Sequence, residues 1–248
     1  MRSLDRALHR PPAVAQLVRK RIERAGERIW RLEDFCDLRF QSVAQALSRL
    51  VKAGVIERLS KGVYYRSRST ALGKSRPNPS TIQLLASRGK AVFPSGTAAA
   101  SLLGFTTQNA SRGEVSTSAS SLPRKLIGQE TVVHTRRPES WARLSQTEAA
   151  LLDFLRHGGK TSELSPGATL QRTLKLLKEP GRYDRLLNVA GTEPPRVRAL
   201  LGALGEQLGR SGRSLAQLRA SLNQLSRFDF GMLSGLRGAR AWQAKEQG

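Results

Sequence analysis

QSVAQALSRLVKAGVIERLSKGVYYRS, residues Gln41 to Ser67, decides how the first part of the chain folds. Val43, Leu47, Leu50 and Val51 recur at i, i+4, i+7 and i+8, which is one buried stripe on a helix running from about Gln41 to Ala53. The opposite face carries Gln41, Gln45, Ser48 and Lys52, with Arg49 on its shoulder. Gly54 is placed to end that helix in a left-handed turn. VIERL and VYYR then read as two short strands. Gly62 supplies the positive φ of a tight connection between them, which puts Lys61 at the tip of a hairpin.

Working upstream, AVAQLVRKRIERAG sets Val14, Leu17, Val18, Ile22 and Ala25 at helical spacing, between a Pro11-Pro12 start and a Gly26 stop. RIW is a strand candidate. LEDFCDL is a helix of one to two turns, in which Cys36 reads as a small core residue. Helix, short strand, helix, helix, hairpin is the order of a winged helix-turn-helix. Downstream, RSRSTALGKSRPNPS (Arg66–Ser80) is rich in Ser, Pro, Gly and Arg and poor in large apolar residues. Residues 1–67 are therefore expected to form one domain, 68–80 a linker and 81–240 a second domain.

The second domain opens with TIQLLASRGK, expected as a helix, and the strand candidate AVF. In PSGTAAASLLGF, Ser95 is placed to cap a helix that ends at Gly104. EVSTSAS, RKLIG and ETVVHTRR make a small antiparallel sheet over about 114–137, with a turn at Gly128-Gln129. From Leu144 the chain reads as helical to its end, with helices over about 145–226. Their leucine stripes include Leu170, Leu174 and Leu177, and last Leu215, Leu218, Leu222 and Leu225. The final dozen residues are expected to fray. The fold class is α+β.

Charge narrows the partners. The chain holds 42 Lys and Arg against 19 Asp and Glu, a formal net charge of +23. Residues 1–79 carry 18 of the bases and 7 of the acids, so the first third is about twice as positive per residue as the rest. Such an excess favours a polyanion without specifying a fold. No apolar run reaches the roughly 18–20 residues that span a bilayer, and MRSLDRALHRPP lacks the apolar stretch of a secretory signal, so a cytoplasmic protein with no membrane partner is expected. One cysteine and three scattered histidines offer no metal centre. SGTAAASLLG lacks the spacing of a phosphate-binding loop. His134 and His157 have no nucleophile and base arranged around them. No cofactor and no enzymatic activity are expected.

The helix and hairpin do offer chemistry for DNA. A recognition helix enters the major groove with its polar residues against base edges, where glutamine pairs with adenine and arginine with guanine. Gln41, Ser42, Gln45 and Arg49 are of the right types on one face. The hairpin would put Lys61 on an adjacent phosphate or in the minor groove, Ser60 and the backbone around Gly62 would approach the same phosphates, and Arg39, Arg58 and Arg66 would add contacts that position without specifying. Arg124, Lys125, Arg136 and Arg137 form a second candidate basic surface in the other domain, for flanking DNA or for RNA or a nucleotide, or simply a solvated face.

Three stretches, ALSRLVKAGVIERLSKGVYYRS, FPSGTAAASLLGFTTQNASRG and EPPRVRALLGALGEQLG, occur in that order, and with them the chain resembles the AbiEi-type antitoxins of type IV toxin–antitoxin systems from about Leu17 to Leu208. The resemblance implies a winged helix that binds inverted repeats in the promoter of its own operon and represses it. It carries the DNA-binding role to Gln41, Ser42, Gln45, Arg49 and Lys61. It also implies a second domain that counteracts a nucleotidyltransferase-like toxin, without stable contact as a rule. A homodimer on the DNA is one open arrangement. Two alternatives stay open beside it: a plain regulator with a dimerisation or effector module, and a non-specific RNA- or DNA-binding protein.

Overall fold

The computed structural model describes residues 13–71, 73–75, 90–108, 113–122, 127–128 and 130–246. It is a mixed α+β chain of helices and small sheets in two units, residues 1–86 with 123–127 and residues 87–122 with 128–248.

In the first unit, α1 (Val14–Ala25) buries Val18 and Ile22 and stops at Gly26, whose φ is +71°. β1 (Arg28–Arg31) leads into a 3₁₀ turn, Leu32–Phe35, closed by the Arg31 amide donating to Asp34 Oδ2 at 2.8 Å. α2 (Phe40–Lys52) follows, burying Val43, Ala46, Leu47 and Leu50, and the chain turns at Gly54 with φ +69°. β2 (Glu57–Ser60) and β3 (Val63–Arg66) then pair, and β3 lies between β1 and β2 in an antiparallel sheet of order β1-β3-β2. The pairing shifts register between Arg58 and Ser60, so the strand bulges just before the tip.

Trp30 stacks on Phe35 at 5.2 Å between ring centres, and Val18, Ile22, Val43, Leu47, Leu50, Ile56 and Tyr64 complete one core. Helices, sheet and turn thus share a single apolar centre, in which α2 packs on α1 and on the 3₁₀ turn. Two expectations change here. The segment LEDFCDL makes one 3₁₀ turn in place of an α-helix, and Cys36 is exposed, because the turn aims Phe35 inward and the next residue outward.

The expected linker is partly built into this unit. β4 (Ser69–Thr70) and β5 (Gly73–Lys74) form a minimal antiparallel hairpin. The Arg68 amide donates to Ser75 Oγ at 2.7 Å, and the Tyr65 hydroxyl lies 3.0 Å from the same oxygen while donating to Glu27. Polar residues that read as a connector are here held by hydrogen bonds, with no apolar core of their own.

In the second unit, β6 (Val92–Pro94) runs into α3 (Gly96–Leu103), which ends at Gly104 in the left-handed region. β7 (Glu114–Thr117) pairs antiparallel with β6, and β8 (Val132–His134) pairs with β7 in parallel. The expected all-antiparallel sheet is therefore corrected. Residues 118–131 supply the dozen or so positions that a parallel return needs, where a two-residue turn would have given a hairpin. The expected helix at 81–89 and most of the expected strand at 124–128 lie outside the described residues, as do Arg124, Lys125 and Gln129.

Helices α4 (Gln146–Arg156), α5 (Pro166–Leu177), α6 (Arg182–Val189), α7 (Pro195–Gln207) and α8 (Arg213–Ala220) enclose the larger core. Phe105 stacks on Phe154 at 4.0 Å within it. Beyond α8 the chain is not helical as expected. It returns through short 3₁₀ turns and seats Phe230, Leu233, Leu236 and Trp242 in the core. The segment expected to fray therefore packs, at least to Trp242. Leu225 drops out of the leucine stripe, since α8 has already ended at Ala220 and its side chain is 91% exposed.

Candidate nucleic-acid interface

The polar face of α2 is built by what lies beneath it. With Val43, Ala46, Leu47 and Leu50 locked in the core, Gln41, Gln45, Ser48, Arg49 and Lys52 have to face solvent, and all five are exposed. The helix contains no acidic residue, and its first turn has no side-chain cap from Arg39. Its partial positive charge at that end is left uncompensated by carboxylates. Among the described residues, Arg39, Gln41, Ser42, Gln45 and Arg49 form no side-chain hydrogen bond or ion pair with one another or with their surroundings, and Ser42 is half-buried.

The entry of the helix is pinned from α1. Arg21 grips Asp37 with two bonds, 2.8 and 2.7 Å long, and donates a third at 3.1 Å to the Asp34 carbonyl. The Arg21 guanidinium holds the Asp37 carboxyl below its ordinary range, and the same contact raises Arg21. This clamp sits two residues before Arg39, so the angle at which α2 leaves the turn is set by a charge-assisted fork rather than by apolar packing alone.

The hairpin tip is fixed in the same way. Gly62 has φ +77°, and its carbonyl accepts from the Leu32 amide at 3.1 Å. A side chain there would meet Leu32 at 3.3 Å as well as straining the backbone. Lys61 is consequently exposed beside a turn tied to the end of β1. Arg58 is exposed too, with Nε donating to the Ser60 carbonyl at 3.4 Å.

Two proposed contact residues are placed elsewhere. The Arg66 guanidinium turns back and donates to the Ile22 carbonyl, inside the first unit, so it closes the last turn of α1. Arg137 turns inward as well. The preceding Arg136 takes φ +58°, and Arg137 then reaches the fully buried Asp153, Nη2 to Oδ1 at 2.9 Å. Burial pushes the Arg137 guanidinium down from its usual value, but the carboxylate keeps it paired. The second basic surface is thereby reduced to Arg136, which is exposed, among the described members.

Asp153 also shows why Ser95 is not the expected cap. Ser95 stands at the position before α3, but the Gly96 amide donates to Asp153 Oδ2 at 2.9 Å, and the serine hydroxyl makes no capping bond. His134 Nε2 lies 2.7 Å from Glu114 Oε1, and His157 Nδ1 lies 2.8 Å from the Asp153 carbonyl. The first contact ties β8 to β7 and the second stays at the end of α4, and the two imidazoles meet edge to face at 6.0 Å between ring centres. No cluster of three or more metal-ligating side chains occurs among the described residues.

One residue on the α2 surface escaped the sequence reading. Phe40, the first residue of the helix, is 67% exposed between Arg39 and Gln41. Spacing misleads here: Phe40 stands three and seven residues before Val43 and Leu47, in line with the buried stripe, yet at the first position of the helix it is exposed.

Residues 18–139 match the model of DUF6088, a family of unknown function. That stretch takes in α2, both hairpins of the first unit, α3 and the three-stranded sheet. The solved structure of the RV2827C protein from Mycobacterium tuberculosis is similar over 90% of this chain and 87% of that one, at 14% identity and a TM-score of 0.50, a likeness of fold alone. No curated protein sequence matches the chain. Among the described residues, no helix is long and apolar enough to cross a membrane.

Proposed function

We propose that residues 13–75 form a winged helix-turn-helix that binds double-stranded DNA, with α2 in the major groove and the Lys61 tip on the adjacent backbone. The observation that carries the reading is the acid-free, outward face of α2, on which Arg39, Gln41, Gln45 and Arg49 have no hydrogen-bond or ion-pair partner for their side chains among the described residues. Glutamine and arginine are the side chains that read adenine and guanine in pairs of hydrogen bonds, and such groups held ready on a rigid helix lose little entropy on contact. Arg58 and Lys61 add phosphate contacts.

On this reading the chain is a non-enzymatic cytoplasmic repressor of its own operon and an antitoxin of the AbiEi type. The second unit then counteracts a nucleotidyltransferase-like toxin encoded beside it. The support for the antitoxin half is the sequence resemblance over Leu17–Leu208. The net charge of +23 favours a second reading, a nucleic-acid binder without base preference.

A titration of the full chain against its own upstream DNA and a scrambled duplex at fixed salt separates the two. The repressor prefers the upstream duplex by about 10³-fold or more. Equal affinity for both duplexes sinks the recognition-helix reading. Co-induction of the neighbouring open reading frame tests the antitoxin role: growth arrested by that frame must be restored by this chain.

A further inference from the structure

We infer that the first unit holds a binding site for a free nucleotide, a planar base carrying two or three phosphates, in the cavity bordered by α1, β1 and the 3₁₀ turn. The inference goes beyond the DNA-binding reading and does not depend on it. The cavity measures about 820 Å³, within the roughly 300–1,000 Å³ that hold a small-molecule ligand. An inorganic ion would leave most of that space to water.

The polar groups of its wall are out of balance. Both acids are engaged: Glu23 accepts from Arg19 Nε at 2.7 Å, and Asp34 accepts from the Arg31 amide at 2.8 Å. Arg21 is committed to Asp37. Lys20 and Arg24, by contrast, are exposed and make no side-chain hydrogen bond or ion pair among the described residues. They stand four residues apart on α1, so both project from one face of that helix. Trp30, a wall residue only 2% exposed, has an indole N–H with no acceptor among the described residues. The groups left over are donors, two of them cationic. Phosphate answers them, since its oxygens accept from an ammonium and from the fork of a guanidinium alike.

Arg28 calls for the other half of the ligand. Its guanidinium lies 4.2 Å from the centre of the Trp30 ring, with Nη2 3.3 Å from Asp34 Oδ2 and Nε donating to the Ile29 carbonyl at 3.3 Å. One face and two edges of the plane are therefore taken, which leaves the opposite face of an exposed side chain for a ligand. A planar cation held in this way stacks on a flat π-system, as unpaired bases do on arginine planes. Bases inside a duplex are covered by their neighbours and cannot reach it without being flipped out. The wall thus suits a free nucleotide better than a stretch of DNA, with the base on Arg28 and the phosphates on Lys20 and Arg24.

Titration calorimetry of the full chain at fixed ionic strength, with ATP, GTP, tripolyphosphate and adenosine as probes, tests the site. ATP or GTP is expected to bind one per chain. It should bind about tenfold more tightly than tripolyphosphate, which carries the charge without the base, the size of one stacking contact. Adenosine, which carries the base without the charge, should bind more weakly than ATP as well. Lys20→Ala and Arg24→Ala are each expected to weaken ATP about tenfold, the loss of one charge-assisted contact, with melting temperature and duplex affinity unchanged. Arg28→Lys keeps the charge and removes the plane, so ATP is expected to fall to the level of tripolyphosphate. Arg136→Ala, in the second unit, is expected to change nothing.

Tripolyphosphate that binds as tightly as ATP overturns the inference, because net charge alone would then account for the binding. Nucleotide binding that Arg136→Ala weakens as much as Arg24→Ala overturns it for the same reason. ATP binding untouched by Lys20→Ala and Arg24→Ala puts the nucleotide elsewhere and removes this site. The absence of saturable binding by ATP and GTP removes it too. Should duplex affinity then fall in Lys20→Ala and Arg24→Ala, these cations belong to the DNA backbone, and the reading of α2 stands without the nucleotide.

Discussion

At the scale of single residues, two basic side chains of the first unit separate binding from stability. Arg66 donates to the Ile22 carbonyl near the end of α1, whereas Lys61 is exposed at the hairpin tip and its side chain makes no hydrogen bond or ion pair among the described residues. Arg66→Ala is expected to cost about 1–2 kcal/mol in urea unfolding, the loss of a charge-assisted hydrogen bond, with only a small effect on DNA affinity at low temperature. Lys61→Ala is expected to leave unfolding unchanged and to weaken binding to all duplexes alike. The reverse pattern would return Arg66 to the interface. In the second unit, Gly202 of α7 lies under Trp242, and an added Cβ would come within 2.2 Å of the indole ring. The indole is fully buried. Gly202→Ala is therefore expected to destabilise by about 1–3 kcal/mol, despite the better helix propensity of alanine, because overpacking outweighs it. A stabilised variant in denaturant unfolding would show that Trp242 can move aside.

At the scale of elements, local signals carried most of the first unit. The stripe of α2, the Gly54 stop and the Gly62 turn are all written within a few residues of where they act. What failed was non-local. Whether Arg66 or Arg137 faces solvent depends on a carbonyl 44 residues away in one case and a carboxylate 16 residues away in the other. No periodicity encodes that. The parallel pairing of β8 depends likewise on how residues 118–131 return, and the seating of Trp242 on the glycine of α7. The stretch Ser145-Gln146-Thr147-Glu148, by contrast, is a capping box legible from spacing. The Ser145 amide donates to Glu148 Oε2 at 2.8 Å, the Glu148 amide donates to Ser145 Oγ at 3.3 Å, and Arg185 Nε donates to Glu148 Oε1 at 2.5 Å. Burial pushes the Glu148 carboxyl up, but the Ser145 amide, Arg185 and the Ser145 hydroxyl outweigh it and hold it below its ordinary value. The ionised form is thus favoured in the folded protein. Its contribution to stability is complete above the unfolded carboxyl value of about 4.3 and is lost as pH falls through the lower folded one. Glu148→Gln should lower stability near neutral pH and flatten its decline between about pH 5 and 3. A variant with the wild-type pH profile in that range would show that other carboxylates govern it.

At the scale of the whole molecule, the question is whether the net charge of +23 binds DNA as a diffuse cloud or through a few placed side chains. Ion pairs hold some of the 42 basic side chains inside the protein without changing that net charge. Arg21 is held by Asp37, Arg137 by Asp153, Arg156 by Glu193 and Arg185 by Glu148. Arg39, Arg49, Arg58 and Lys61 have no carboxylate partner among the described residues, and all four lie on α2 or the adjoining turn and hairpin. If these four neutralise phosphates, the plot of log affinity against log salt should have a slope of about −3 to −4 per bound chain, since each contact contributes about −0.9. Replacing Lys61 by alanine should make that slope shallower by about 1, while replacing the exposed Arg136 of the second unit should leave it unchanged. A diffuse mode predicts something else. Its slope would be much steeper than −4, and either substitution would change it by the same small fraction, because no single cation would hold a defined phosphate. The pair of variants thus discriminates where a single affinity would not: a slope that responds to Lys61 and ignores Arg136 places the contact surface on the first unit, and a slope that responds to both alike assigns binding to the charge of the whole chain.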